Sequence, residues 1–355
     1  MKILYGVNGE GMGHAMRAAV VGNFLESRGH DLQFVSSSGR ALKFLESRWP
    51  GKVISCVGLG INMAVGNSVS PLATFLGNAA KQYLASPWLH LATAAQVRIP
   101  DVVISDFDYW SARYAGLLGK PLIAIDNIHF LSKCAHPKEF ILNDRQAAAL
   151  MYPVVSSAVP KADRYLVTTF ASAPILKSNA SLHLPIIRQE IQREVSFLGN
   201  HVVSYFNDKA DHRSLLGAFA ALPGVEFRCY GLGGVYEKRQ SGNITVLPMS
   251  EEGFIGDLAS CKACIGGAGF TLVSEAIFLK KPMLAVPFGG HFEQILNANY
   301  LEKLGYGERG RGALSAEQVA GFLSRAPAYQ ENLAGFQHDG NAELLQAVEA
   351  AVHGG

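Results

Sequence analysis

Short apolar runs rich in β-branched residues alternate, from the first residue onward, with segments whose apolar positions recur at helical spacing. Residues 2–7 form the first run. Residues 16–27 then carry apolar positions at helical period and close at Arg28-Gly29, a common helix stop, before a second run at 32–36. This is a strand, helix, strand unit. Runs at 53–57, 102–105, 122–125 and 165–168 continue the series between Gly, Pro and Asp breakers. Unbroken apolar strands are buried on both faces, so the pattern predicts a parallel sheet with helices on either side.

Past Pro174 the alternation lapses through Pro185 and a charged stretch at 188–194, where a linker is expected. Strands predicted at 201–206, 226–230, 244–246, 263–265 and 283–286, with helices between them, make a second wound domain. The expected organisation is a first wound domain at 1–185, a second at 186–330, and a tail at 331–355. The tail contains an amphipathic helix at 342–352 suited to packing against either domain, including back on the first. The fold class is α/β, with two Rossmann-like doubly wound domains.

Composition narrows the function. Of 355 residues 49% are hydrophobic and 17% charged, too apolar for disorder and too long for one core. A net charge of +2 leaves no overall electrostatic footprint for nucleic acid. Five scattered cysteines argue against a secreted disulfide framework. The chain enters its first strand with no signal-peptide pattern, so a cytoplasmic protein is expected. The most apolar stretch, 147–160, is broken by Pro153 and Pro160 and falls short of a membrane span. Residues 72–91, with Lys81, Tyr83, Trp88 and His90 among apolar positions, read as core plus a solvated face, or as an amphipathic flank for an acceptor or membrane surface.

Gly9-Glu10-Gly11-Met12-Gly13-His14 lies between the first strand and first helix, where glycines let backbone approach a ligand. A dinucleotide fingerprint fails here: His14 stands where glycine is needed, and the second strand ends in Ser36-Ser37-Ser38 rather than an acidic residue. Asp106 follows another strand at the same rim. An imidazole base needs a carboxylate to hold its tautomer, so His14 and Asp106 form a candidate dyad; the alternative is that each caps a loop or helix. Asp106-Phe107-Asp108 also has the form of a metal-holding DxD pair, for which helix capping is the better reading. Cys261 and Cys264 lack a second ligand pair for zinc and read as small buried residues.

The segment 265–297 is the richest in chemistry. Gly266-Gly267-Ala268-Gly269 leads from a strand into a helix predicted at 270–279, whose first amides at Gly269, Phe270 and Thr271 suit a diphosphate. Glu275 lies nearly two turns on, placed to accept from ribose hydroxyls or simply solvated. A second loop, running from Pro287 through Gly289, Gly290 and His291 to Glu293-Gln294, ends in groups suited to sugar hydroxyls.

These residues resemble a family: the two-domain GT-B nucleotide-sugar glycosyltransferases, on the branch of the UDP-glucosyl/glucuronosyltransferases and the peptidoglycan GlcNAc transferase. The nearest likeness is to a little-described bacterial and archaeal subgroup. It is carried by residues 1–7 leading to Gly11-Met12-Gly13-His14, Val103-Ile104-Ser105-Asp106-Phe107, Ala124-Ile125-Asp126-Asn127 with His129, and 266–275. It spans nearly the whole chain. The family's donor signature Thr-His-Cys-Gly-Trp-Asn-Ser-Thr-Leu-Glu falls on residues 266–275 without a gap. Glu275 then resembles the ribose ligand, and Gly267 replaces the signature's phosphate-binding histidine. Glu293 and Gln294 resemble the pair that reads the donor sugar, beside His291, while Leu247 and Met249 fall where the signature begins and an aromatic normally stacks on the base. Arg188 resembles an arginine near the donor phosphates, or is a surface linker residue.

What the resemblance implies is two domains facing a central cleft, 1–185 binding the acceptor and 186–330 the nucleotide-sugar donor, and an inverting, metal-independent transfer from a UDP-sugar co-substrate. His14 would be the base and Asp106 its orienting group. Gly11, Met12, Gly13, Asp126, Asn127 and His129 would lie on the acceptor side, the last three as acceptor ligands or loop caps. No further cofactor is expected. The partners are a nucleotide-sugar donor and a glycan, lipid or small-molecule acceptor, with peripheral contact at the inner membrane face if the acceptor is a lipid. The rival readings are a UDP-sugar 2-epimerase on the same fold and a non-catalytic nucleotide-sugar or glycan-binding protein.

Overall fold

The computed structural model describes the chain except residues 10, 38, 59–86, 160, 207–211, 233–234, 236 and 355, and the side chains of 87 and 89. Most of the flank at 72–91 therefore lies outside the described residues; Trp88 and Leu91, within them, are exposed. The chain divides into two compact units. The first runs to Arg188 and takes in Asp339–Gly355; the second spans Gln189–His338.

The first unit is a seven-stranded parallel sheet built from β1 (Lys2–Val7), β2 (Asp31–Ser36), β3 (Val53–Ser55), β4 (Val102–Asp106), β5 (Leu122–Asp126), β6 (Arg164–Thr168) and β7 (Ala180–His183), in the order β3-β2-β1-β4-β5-β6-β7. Every residue of β4 and β5 is buried, as strands covered on both faces require. Its helices are α1 (Gly13–Ser27), α2 (Gly39–Arg48), α3 (Pro87–Gln96), α4 (Tyr109–Leu118), α5 (Phe130–Lys133), α6 (Lys138–Leu142) and α7 (Arg145–Ala158).

The second unit holds α8 (Gln189–Gln192), α9 (Arg213–Ala220), α10 (Glu251–Ser260), α11 (Phe270–Phe278), α12 (Phe292–Lys303) and α13 (Ala316–Ala334). Its strands are β8 (His201–Tyr205), β9 (Glu226–Tyr230), β10 (Arg239–Ser241), β11 (Ile244–Val246), β12 (Ala263–Gly267), β13 (Met283–Val286) and β14 (Gly307–Arg309), in the order β10-β11-β9-β8-β12-β13-β14. All pair in parallel except β10, which forms an antiparallel edge with β11. The last helix, α14 (Ala342–Val352), returns to the first unit, where Leu344, Val348 and Val352 join the core that contains Val21 and Leu25 of α1.

Each sheet winds outward in both directions from one place, between β1 and β4 in the first unit and between β8 and β12 in the second. Loops beyond the carboxyl ends of strands at such a reversal are where open α/β sheets bind ligands. Val7 pairs with Asp106, so β1 and β4 end side by side. Gly266 pairs with Tyr205 at the corresponding ends in the second sheet.

Three edge strands, β7, β10 and β14, escape the apolar-run pattern because each is short and partly or wholly exposed. The stretch at 147–160 is not broken at Pro153: α7 runs through it, with Ala147, Ala148, Met151, Val155 and Ala158 buried. Among the described residues, no helix is long and apolar enough to cross a membrane.

Candidate active site

The loop after β1 carries Gly11 in a left-handed conformation (φ 86°), then Met12 as the N-cap of α1 and Gly13 as its first residue. Met12 packs against the sheet core, which fixes where the helix starts. His14, second in the helix, is thereby turned toward the end of β4. Its Nδ1 lies 2.6 Å from Asp106 Oδ1, and the carboxylate is fully buried while the imidazole is 13% exposed.

Sequence reasoning overlooked the third member of this cluster. Arg17, one turn beyond His14, donates from Nε to Asp106 Oδ2 at 2.7 Å and from Nη2 to Oδ1 at 2.6 Å. The available signal was the His-x-x-Arg spacing, which puts both side chains on one face of a helix. Burial opposes the charge on Arg17, yet Asp106 outweighs it and holds the guanidinium pKa above its usual value. Arg17 Nη2 also comes within 3.1 Å of His14 Nδ1. Both nitrogens point at the same carboxylate oxygen, so the approach is that of two donors sharing an acceptor rather than a bond between them. With Nδ1–H donating to an ionised Asp106, Nε2 carries the lone pair. That nitrogen makes no hydrogen bond to any described residue and is not sealed from solvent.

Asp108 has a different task. It is the N-cap of α4, accepting from Ser111 N at 2.7 Å, and Cys56 Sγ lies 3.8 Å from its other oxygen. Burial pushes its carboxyl up to about 6 despite these donors. The two acidic residues around Phe107 are thus committed to separate partners. Phe107 itself holds φ at 51°, a left-handed value costly for a bulky side chain, and its carbonyl accepts from Asn8 Nδ2 at 3.1 Å.

At the end of β5, Asp126 accepts from the His129 backbone N–H and ring Nδ1, both at 2.7 Å. Burial alone would raise this carboxyl, but the His129 contacts outweigh it and hold the pKa below the ordinary carboxylate range. Asp126 thus caps this turn through His129; each is 1% exposed, and the His129 ring contacts Phe107 and Tyr165. Asn127 beside them is also buried.

In the second unit, β12 leads through Ala268 and Gly269 into α11. Gly269 is the N-cap and offers no side-chain cap, and the first helical bond runs from Val273 N to Gly269 O. The amides ahead of it have no partner within the helix, and the positive end of the helix dipole faces the same way. A Cβ added at Gly269 meets nothing within 4 Å, so this helix start opens onto free space; Phe270 is buried and Thr271 half-buried behind it. Gly266 is tightly packed, since a Cβ there would stand 2.5 Å from the Tyr205 carbonyl oxygen. Gly267 has ordinary room, its nearest neighbour being the Phe288 ring at 3.8 Å. Glu275 is 3% exposed, which excludes an ordinary solvated glutamate.

The second loop is tied to the first by a residue the sequence reading did not single out. Asn297 donates from Nδ2 to Glu293 Oε1 at 2.8 Å and to Ala268 O at 3.1 Å. Its signal was the i, i+4 spacing from Glu293. Gln294 accepts from Phe288 N at 3.1 Å, leaving its NH2 without a protein partner among the described residues. His291 is the N-cap of α12, its Nδ1 3.5 Å from Glu293 Oε2. Leu247 donates its N–H to Cys229 O and is half-buried, while Met249 is exposed. Arg188 is not an exposed linker residue: it is 9% exposed, in the first unit, beside an Ile187 backbone held at both N–H and C=O by Asn341. Cys264, within β12, and Cys261, just before it, are wholly buried.

Comparison with known proteins agrees with this architecture. A family model described as glycosyl transferase family 1 matches residues 1–327. An uncharacterized glycosyltransferase of Methanosarcina acetivorans is 25% identical over 345 residues, covering 86% of this chain and 85% of its own. The glycotransferase of kitacinnamycin superposes with a TM-score of 0.69 at 16% identity, covering 98% of both chains. Phytolacca americana UGT2, solved with UDP-2fluoro-glucose and pterostilbene, superposes with a TM-score of 0.65 at 15% identity over 99% of both. With two largely parallel α/β sheets of the GT-B kind and a family match over nearly its whole length, the chain belongs to glycosyl transferase family 1 and is an enzyme of glycosyl transfer.

Proposed function

We propose that this transferase is inverting and metal-independent, moving a sugar from a UDP-sugar to an acceptor hydroxyl with His14 as the base. The observation that carries the reading is the His14–Asp106 contact, which sets the tautomer and leaves Nε2 as an open proton acceptor. Nε2 takes the hydroxyl proton as the acceptor oxygen attacks the anomeric carbon. The bond from that carbon to the diphosphate breaks, and its electron pair leaves on the phosphate oxygen. The amides and dipole at the start of α11 meet this charge. Gln294 and Glu293 would orient the sugar, and Glu275 the ribose. Metal independence is supported by the separate commitments of Asp106 and Asp108, which do not form a joint carboxylate pair. The UDP-linked sugar held by UGT2 supports a uridine donor. In this reading the reaction is cytoplasmic, at the inner membrane face where the acceptor is a lipid.

The test pairs binding with turnover. UDP, GDP and dTDP sugars are screened for thermal stabilisation, and UDP release is followed with candidate acceptors. His14→Gln is expected to lower turnover about 10²- to 10⁴-fold while leaving the stabilisation by donor intact. Unchanged UDP release in that variant, or no stabilisation by any UDP compound, overturns the reading.

A further inference from the structure

At the opposite end of the first sheet from His14, α1 closes in a paired turn: Gly29 N donates to Glu26 O and His30 N to Leu25 O, with Gly29 at φ 84°. This places His30 just before β2, against the last turn of α14. The His30 side chain is 4% exposed, and its Nε2 lies 3.3 Å from both oxygens of Glu349. Its Nδ1 faces the Met1 amino nitrogen at 3.3 Å, so Nε2 is the nitrogen directed at the carboxylate. His353, four residues after Glu349 on the same helix face, brings its own Nε2 to 3.3 Å from Glu349 Oε1.

We propose that His30, Glu349 and His353 form a binding site for a divalent transition metal of the zinc class, which fastens the last helix to the base of the first unit. The three ligand atoms lie within 4.8 Å of one another. A tetrahedral ion with bonds of about 2.0–2.1 Å has edges of about 3.3–3.4 Å, and two of the three separations already have that length. Two imidazoles and one carboxylate suit zinc and its neighbours rather than magnesium or calcium, which prefer oxygen alone. On binding, His30 and His353 each give up the Nε2 proton that faces Glu349 and carry one on Nδ1, His30 taking it from the Met1 ammonium and His353 from solvent, and water completes the fourth position. The site stands at the amino ends of the strands, away from Asp106 at their carboxyl ends, so its role is to hold structure.

Zinc alone is the probe, and transferase activity is not used. After chelator treatment and dialysis, the full chain is titrated with Zn²⁺ against a chromophoric chelator, with Mg²⁺ as control, and its unfolding temperature is read with and without zinc. One equivalent of zinc is expected, with a higher unfolding temperature and no response to magnesium. His353→Gln, at a residue whose side chain is 58% exposed, and Glu349→Gln should each weaken uptake about tenfold or more and abolish the thermal shift. Absence of uptake, or zinc binding of unchanged strength in His353→Gln, overturns the proposal.

Discussion

Replacing Arg17 by methionine keeps most of the side-chain volume but strips Asp106 of two short charged hydrogen bonds. Both residues are buried, at 6% and 0% exposure, so water cannot take over the role of the guanidinium. Two such bonds, at about 1.5–3 kcal/mol each, and the general cost of breaking a buried ion pair agree on a loss of about 3–5 kcal/mol. Against a domain stability of about 5–15 kcal/mol this is large but survivable. Asp106→Asn alone should cost less, and the double variant should be more stable than the sum of the two losses predicts, because no charge is then left without a partner. Urea unfolding of the four proteins supplies the cycle. Additive stability losses, or a loss under about 1 kcal/mol for Arg17→Met, would refute the reasoning.

Asp108 predicts a pH dependence of stability. Its carboxyl is pushed up to about 6 by burial, so the folded state holds the proton more tightly than the unfolded chain at about 3.9. That contribution is complete below about pH 4 and lost as pH rises through 6, an upper limit of about 3 kcal/mol. Asp108→Asn, which keeps the cap oxygen for Ser111, should raise stability by about 1–3 kcal/mol near pH 8 and not at all near pH 4; equal gains at both would contradict the burial argument. Gly266→Ala should cost about 1–3 kcal/mol in denaturant unfolding because its Cβ meets a backbone carbonyl, whereas Gly267→Ala should stay within about 0.5 kcal/mol. Gly267→His, at the position of the resembling signature's phosphate ligand, should tighten UDP-sugar binding about tenfold by calorimetry, the worth of one charge-assisted hydrogen bond. If Gly267→Ala proves as damaging as Gly266→Ala, the packing around β12 is not as described.

How much was legible followed from burial. β13 coincides with its predicted strand because an interior strand covered on two faces appears as a continuous apolar run, while β9 and β11 match through buried Phe227, Cys229 and Ile244 between turn residues. The edge strands β7, β10 and β14 lack that covering and hence that pattern. The final helix matched its predicted bounds because its apolar stripe packs on one side only. Within the site, glycine loops next to strand ends were visible locally. Arg17 and Asn297 were not singled out, since a charged or polar residue one helical turn from a candidate looks like an ordinary solvated position until its partner is known.

The order of strands and helices, the division into two wound units and the glycine loops at the strand ends were determined by the sequence alone, through local periodicity and the conformations only glycine tolerates easily. Which residues meet was decided by tertiary structure. His14 and Asp106 lie 92 positions apart, Asn297 and Ala268 29 apart, and His30 and Glu349 319 apart. Local pattern records how deeply a residue is buried and on which face, whereas its partner depends on which strands become neighbours. Placing β4 beside β1, with β2 and β3 on the other side, brought a buried carboxylate under the first helix and set the ring of His14, at the start of that helix, against it.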